Sequence, residues 1–388
     1  MRLGERTDSA SLIGSRYYGR DSLNRTTEMP GPKDTELRAT PSETTAFAKR
    51  HPGVVYQRTT FDLCISALGI GTYLGESTDA DDAAYVNSII RSIESGINVI
   101  DTALNYRSQR SERAVASAIQ QATERGLAER SQLVVCSKGG YIPLDTNPPG
   151  SRDEYRDYVQ TRFIEPGILH PSEIVGGGHS LAPRFLKYCV AASRQNLGVR
   201  TIDVYYLHNP GQQLSSVSTE ELRPRLRAAI AALEECVSRG DIGVYGVATW
   251  DELRVAPDSP RHLSLDDLVG LAREVAGEAH HLRVVQLPIN LVMQESIRVA
   301  TQPLDGTLVP VLTAASALGL TVVASASLMQ SRLASGLPEA LHEAFPSCTT
   351  DAQRAIAFTR SLPGVTTALV GMKRAEHVEE NLGALRAE

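Results

Sequence analysis

The chain has 388 residues, 42% of them hydrophobic, and a formal net charge of −6. This length fits one large α/β domain or two ordinary ones, with apolar residues enough for a core. The acidic balance and the lack of a basic cluster argue against a nucleic-acid binder, and no apolar run approaches the ~20 residues that a membrane span requires.

Residues 1–50 are polar, rich in Arg, Thr, Ser and Pro, and lack periodicity, so an N-terminal extension, mobile or draped on the surface, is expected there. The folded body is expected over 51–388. Residues 54–65 alternate as a short hairpin does, and Ala67 to Tyr73 reads as a strand entering a Gly-containing turn. Residues 79–95 predict a helix, with Tyr85, Ile89, Ile90 and Ile93 at helical spacing. The β-branched run Ile97 to Ile100 predicts a buried strand that ends in Asp101 and turns into Tyr106. An acid at such a strand end is poorly explained by packing, because ionised Asp is seldom buried without a partner. A helix follows over 111–125, with Ser111 as a fitting N-cap, and then a strand, Leu133 to Lys138.

Residues 139–182 interrupt this rhythm with Pro, Gly and charge. They are too long for an ordinary connection, so an insertion or lid is expected after the third strand. Helices over 183–197, 220–239, 265–276, 308–318, 351–362 and 374–387 then alternate with strands beginning at Ile202, Ile242, Val284, Leu320 and Val365. Ser264 fits an N-cap, and Gly240, Gly277 and Gly319 fit helix stops. Eight strand-then-helix units predict a closed (β/α)8 TIM barrel in the α/β class. A doubly wound sheet would carry GxGxxG after its first strand. Gly69-Ile-Gly71-Thr-Tyr-Leu74 lacks the third glycine. The cysteines Cys64, Cys136, Cys189, Cys236 and Cys348 are scattered and form no CxxC pair, and no secretory signal is expected within residues 1–21. Reduced thiols in a cytoplasmic protein are therefore expected.

In such a barrel the active site lies at the C-terminal strand ends. Asp101 and Tyr106 follow the second strand, Lys138 ends the third and His208 ends the fourth, so all four can converge. Each alone has an ordinary explanation: Asp101 as a turn former, Lys138 as a solvated strand end, His208 and Tyr106 as packing. Together they form a proton-transfer group. A phenol titrates near ~10, a neighbouring ammonium lowers that value, a carboxylate holds the ammonium, and an imidazole orients a carbonyl oxygen. Such a set suits protonation of a carbonyl oxygen as a nicotinamide delivers hydride. His170 and His179 lack clustered partners, and no metal is expected.

Gly96-Ile-Asn-Val-Ile-Asp-Thr-Ala-Leu-Asn-Tyr106, Ser111-Glu112, Ser137-Lys138 and Leu207-His208-Asn-Pro210 occur in that order. With these motifs, the chain from about Leu63 to its end resembles the aldo-keto reductase superfamily. The resemblance implies a (β/α)8 barrel that reduces an aldehyde or ketone, or oxidises the alcohol, with NADP, or alternatively NAD. It implies Tyr106 as general acid/base, Lys138 and Asp101 as its tuning pair, and His208 as the group that positions the carbonyl. Toward the cofactor it implies Gln286 on the nicotinamide amide, with Ala248-Thr249 where the family carries Ser-Asn, and Ser325 where an aromatic ring stacks. Leu328 to Leu333, with Gln330 and Arg332, resembles the loop along the pyrophosphate. Gly371, Lys373, His377, Glu380 and Asn381 fall in a segment that resembles the adenosine-phosphate site. The departures at Ala248, Thr249 and Ser325 leave two alternatives: a redox-neutral isomerase or lyase on the same barrel, and an NADP-binding regulatory subunit. Trp250 fits a pocket wall or the core. Tyr155, Tyr158, Arg162 and Phe163 of the insertion either face substrate or pack the loop on itself.

Overall fold

The computed structural model describes residues 38–386. In chain order the strands are β1 (Tyr56–Arg58), β2 (Cys64–Ser66), β3 (Leu68–Gly71), β4 (Val99–Asp101), β5 (Val134–Gly139), β6 (Ile202–His208), β7 (Ile242–Ala248), β8 (Leu282–Pro288), β9 (Gln302–Leu304), β10 (Thr307–Val309), β11 (Thr321–Ser325) and β12 (Val365–Gly371). The helices are α1 (Pro41–Arg50), α2 (Asp79–Glu94), α3 (Arg110–Glu124), α4 (Arg152–Val159), α5 (Pro183–Leu197), α6 (Thr219–Ser238), α7 (Leu265–Ala276), α8 (Glu295–Arg298), α9 (Val311–Ala317), α10 (Glu339–Ala344), α11 (Asp351–Ser361) and α12 (Ala375–Arg386). Strands β3 to β8, β11 and β12 pair in parallel and close into the expected (β/α)8 barrel, with β12 returning to β3.

Local chemistry explains the helix starts. Thr78, Ser218, Ser264 and Thr350 each accept a backbone N–H of the first turn, and acidic residues follow them toward the positive end of the helix dipole. Helix α3 departs from expectation. Its N-cap position is Gln109 in left-handed backbone, and Ser111 lies inside the first turn with its hydroxyl donating to the Thr72 carbonyl at 2.9 Å.

The two-residue period of the strands positions the site. Along β6, Val204 and Tyr206 face the barrel interior, while Tyr205 and Leu207 pack in the layer beneath the helices. The same parity carries His208 toward the barrel axis. It acts on every neighbour: Val99 leads to Asp101, Cys136 to Lys138, Val284 to Gln286 and Val323 to Ser325. The interior ladders therefore run apolar at the bottom and polar at the C-terminal mouth. Glycine keeps the staves close: a Cβ on Gly246 would sit 2.1 Å from the Val284 carbonyl oxygen.

The bottom of the barrel corrects the boundary of the extension. Residues 1–37 lie outside the described residues, but Pro41–Arg50 is a helix rather than a loose tail. Thr40 caps it, Phe47 is fully buried, and the Ala39 amide donates to Asp203 Oδ1 at 2.7 Å. With Leu63 and Ile65 of the β1–β2 hairpin, Ala39 joins the interior apolar cluster that closes this end. The segment buries so few side chains that its period is too sparse to read in the sequence. A second correction concerns 308–318. Thr307–Val309 belongs to a β9–β10 hairpin, and the helix starts only after Pro310. The turn is Asp305-Gly306, both at positive φ, an Asp-Gly pair of the type that favours tight hairpins.

The insertion is ordered. Helix α4 runs into a π-turn over Gln160–Ile164 that buries Phe163 against Phe185 and Tyr188 of α5. Tyr158 donates to the Pro143 carbonyl at 2.7 Å and Tyr155 to the Gly177 carbonyl at 2.8 Å. Tyr155, Tyr158 and Phe163 thus tie the loop to itself and to α5.

Truncating Phe47 to Ala should lower stability by about 3–5 kcal/mol, as for a large side chain removed from a packed core. Chemical denaturation measures it, and a loss under about 0.5 kcal/mol would mean that α1 is surface decoration.

Candidate active site

Strands β4, β5, β6 and β8 bring Asp101, Lys138, His208 and Gln286 to one level at the barrel mouth. Lys138 Nζ donates to Asp101 Oδ1 and, at 2.9 Å, to the Thr102 carbonyl. Gln286 Nε2 donates to Asp101 Oδ2 at 2.8 Å, so both oxygens of this buried carboxylate are held. Tyr106 hangs over the pair, with Lys138 Nζ 5.0 Å from its ring centroid. The Tyr106 ring also meets His208 edge-on at 5.8 Å.

The electrostatics follow from burial in this small volume. Burial raises the Tyr106 pKa above its ordinary value, the Lys138 ammonium opposes that rise, and the Asp101 charge reinforces it. Burial alone would lower Lys138, but Asp101 and the Tyr106 oxygen outweigh it, and the ammonium is held charged. Burial, then the Lys138 charge and His179, push His208 well below its ordinary value, so its ring is neutral. The site thus holds one protonated phenol, one ammonium paired with the Asp101 side chain and one neutral imidazole at physiological pH.

A buried relay from the insertion supports His208. Gln213 Nε2, which can only donate, meets His179 Nδ1 at 2.8 Å. The His179 proton therefore sits on Nε2, which donates to the His208 carbonyl at 2.8 Å. Arg225 fixes the amide by donating to Gln213 Oε1 at 2.8 Å. Tyr141 stands edge-on between the two imidazoles, 4.9 Å from His179 and 5.0 Å from His208, and its hydroxyl accepts from Asn209 at 3.0 Å.

A cavity of about 510 Å³ opens above this group. Among the sequence-derived positions, Asp101, Tyr106, His208, Ala248, Thr249, Gln286, Ser325, Leu328, Gln330 and Gly371 line it, and Lys138 lies just behind. Trp250 is a wall residue and is half exposed. Arg332, Lys373, His377, Glu380 and Asn381 lie outside the lining. Lys373 Nζ is paired with Asp81 at 2.8 Å, His377 Nε2 lies 2.7 Å from Arg374 Nη2, and Asn381 is buried. Residues Ala326, Met329, Gln330 and Ser331, on the Gly371 side of the mouth, all have positive φ, a conformation that clusters at ligand-binding loops.

A profile of the aldo/keto reductase family matches residues 67–263, from the first barrel strand to the loop before α7. The chain belongs to the aldo/keto reductase family. An NADH-specific methylglyoxal reductase of Escherichia coli K12 is 27% identical over 201 residues, 50% of this chain and 51% of that protein. The chain thus spans about half the length of this curated relative. An aldo/keto reductase from Klebsiella pneumoniae, solved with NADP and acetate, superposes with a TM-score of 0.57 at 23% identity, covering 85% of this chain and 89% of its own. A Bacillus halodurans aldo-keto reductase in its holo form gives 0.57 at 17% identity, covering 86% and 92%. At these identities the structural likeness bears on the fold alone.

Sequence reasoning missed several wall residues of this aldo/keto reductase, among them Tyr73, Asn105, Tyr141 and Asn209. Each of these four lies one to four residues beyond a strand end, and that adjacency was the available signal. It also missed the relay through His179 and Gln213, for which no local pattern exists. Among the described residues no group of three His, Cys, Asp or Glu side chains is placed to hold a metal.

The relay makes stability depend on pH. Burial lowers the His179 pKa to about 4 from an ordinary 6.5. The unfolded chain therefore binds this proton first, and stability present above pH 6.5 is lost as pH falls toward 4, by about 3 kcal/mol. His179→Gln, which keeps a donor for the His208 carbonyl, should flatten that loss in urea titrations between pH 7 and pH 4.5. An unchanged pH slope would remove His179 from the account.

Proposed function

We propose that the chain is an NAD(P)H-dependent oxidoreductase that reduces an aldehyde or ketone, or oxidises the corresponding alcohol, with Tyr106 as general acid/base. The observation that carries this reading is the Tyr106 ring set over the buried Lys138–Asp101 pair at the floor of an open cavity, beside a neutral His208. Family membership supports it, as do relatives named for NADH-specific and NADP-bound enzymes.

The cavity supports a dinucleotide. It runs from His208 to Gly371, and Thr249 Oγ1 and Ser327 Oγ are buried hydroxyls there without partners among the described residues. Unpaired buried polar atoms of this kind await a ligand or water. A bound nicotinamide would supply or accept the hydride. Ser325 offers no ring to stack on it, and the Gln286 amide nitrogen already serves Asp101. Neither Lys373 nor Arg374 is uncommitted, which keeps NAD beside NADP as a candidate.

In reduction, a substrate oxygen near Tyr106 receives the phenolic proton, and the Lys138 ammonium stabilises the phenolate left behind. Asp101 and the Thr102 carbonyl fix that ammonium, while the Gln286 amide holds the other oxygen of Asp101. Neutral His208 contributes a ring hydrogen bond rather than a charge, so the oxygen is positioned without competing for the proton. Tyr73, Tyr141 and Trp250 set an aromatic rim around it.

Tyr106→Phe should lower kcat by at least about 100-fold, the scale of general acid catalysis, with dinucleotide binding near wild type. Wild-type turnover in that variant would end the acid/base assignment. Because burial raises the Tyr106 pKa, kcat for reduction should stay level through neutral pH and fall only above about pH 10, while alcohol oxidation keeps rising. Turnover with no change in nicotinamide absorbance would favour a redox-neutral reaction instead, a reading that the small Ser325 side chain favours.

A further inference from the structure

Tyr106 is followed by three consecutive residues with positive φ: Arg107 at 48°, Ser108 at 55° and Gln109 at 67°. None is glycine. The left-handed region crowds Cβ against the carbonyl and is ordinarily left to glycine, so such a turn persists only where surrounding contacts over-determine it.

Those contacts come from the turn's own side chains. Arg107 is buried, with Nε donating to the Glu76 carbonyl at 2.8 Å, and Nη2 donating to the Thr78 carbonyl at 3.3 Å and to Asp82 Oδ1. Its guanidinium lies 5.2 Å from the Tyr85 ring centroid, and the Tyr85 hydroxyl in turn holds the Leu74 carbonyl at 2.6 Å. Gln109 reaches the other way, donating to the Leu144 carbonyl of the insertion at 3.0 Å and accepting from Asn196 at 3.0 Å. The turn is therefore pinned to both loops that frame the cavity, the one before α2 and the insertion. Tyr73, on the first of these loops, packs edge-on against Tyr106 at 5.0 Å.

We propose that Arg107 is a positioning residue for Tyr106, its guanidinium clamping the left-handed turn onto the Glu76–Asp82 segment so that the phenol stays over Lys138. Without the clamp the turn relaxes toward right-handed backbone and carries the Tyr106 side chain with it. The inference rests on the reading of Tyr106 as acid/base.

The variants Arg107→Gly, Arg107→Lys and Ser108→Gly separate clamp from backbone, because glycine relieves the left-handed crowding while removing the guanidinium. Arg107→Gly should lower kcat for carbonyl reduction by about 10- to 100-fold, the range a misplaced reacting group costs. KM and the dinucleotide Kd from fluorescence titration should stay within about twofold. The alkaline limb of kcat should move to higher pH as the phenol loses the ammonium. Arg107→Lys should recover part of the rate through its contact with Asp82, and Ser108→Gly should match wild type. Wild-type kcat and pH profile in Arg107→Gly would overturn the proposal. So would parallel changes in kcat, KM, Kd and Tm, which mark a general structural role. If Arg107→Gly does not fold, Asp82→Asn tests the same clamp: a several-fold lower kcat at constant Kd supports it, and an unchanged kcat overturns it. Tyr106→Phe assayed alongside tells the two readings apart, since its wild-type turnover would remove the acid/base assignment itself.

Discussion

One ion pair organises the mouth of this barrel. Lys138 and Asp101 are both buried, and a lone charge at that depth costs several kcal/mol. Each partner is tolerable only because the other lies across the adjacent strand, with Gln286 and the Thr102 carbonyl filling the remaining hydrogen-bond positions. Removing either partner leaves an uncompensated charge, at a cost of about 3–5 kcal/mol. The pair also sets the chemistry above it. Its ammonium opposes the burial that raises the Tyr106 pKa, and helps to hold His208 neutral.

The parts that hold the site are of two kinds. The β-strands deliver Asp101, Lys138, His208 and Gln286 from a rigid closed sheet, where side-chain direction follows from strand parity. The loops deliver Tyr106, Tyr141 and the aromatic rim, where nothing regular fixes direction. Side-chain contacts secure them instead: Tyr141 accepts from Asn209 and meets the His179 ring edge-on, and the turn after Tyr106 is held by Arg107 and Gln109. Polar contacts of this kind specify one loop arrangement, although the buried Nη1 of Arg107 has no partner among the described residues.

Much of this was legible in the chain. Eight strand–helix units, each punctuated by caps and glycines, gave the barrel, and the strand ends carried three of the four proton-transfer residues. The misses share a cause. Helix α1 and the β9–β10 hairpin bury too little apolar surface to impose a period. For Tyr155, Tyr158 and Phe163 the sequence left a binding surface and self-packing both open, and their contacts with Gly177, Pro143 and α5 show packing. Lys373, in the segment that resembles an adenosine-phosphate site, pairs with Asp81, 292 residues away.

The sequence by itself determined the succession of strands and helices and most helix ends, because these arise from interactions within a few residues: alternation of apolar side chains, capping hydroxyls and glycine stops. It therefore determined that Asp101, Lys138 and His208 sit at the C-terminal ends of neighbouring strands, where they can converge. Only the tertiary structure decided which of them touch, which side chains wall the cavity, and how three non-glycine residues remain in left-handed backbone after Tyr106. Those outcomes depend on partners 25 to 185 residues apart, whose pairing is fixed by closure of the barrel and leaves no local pattern in the chain.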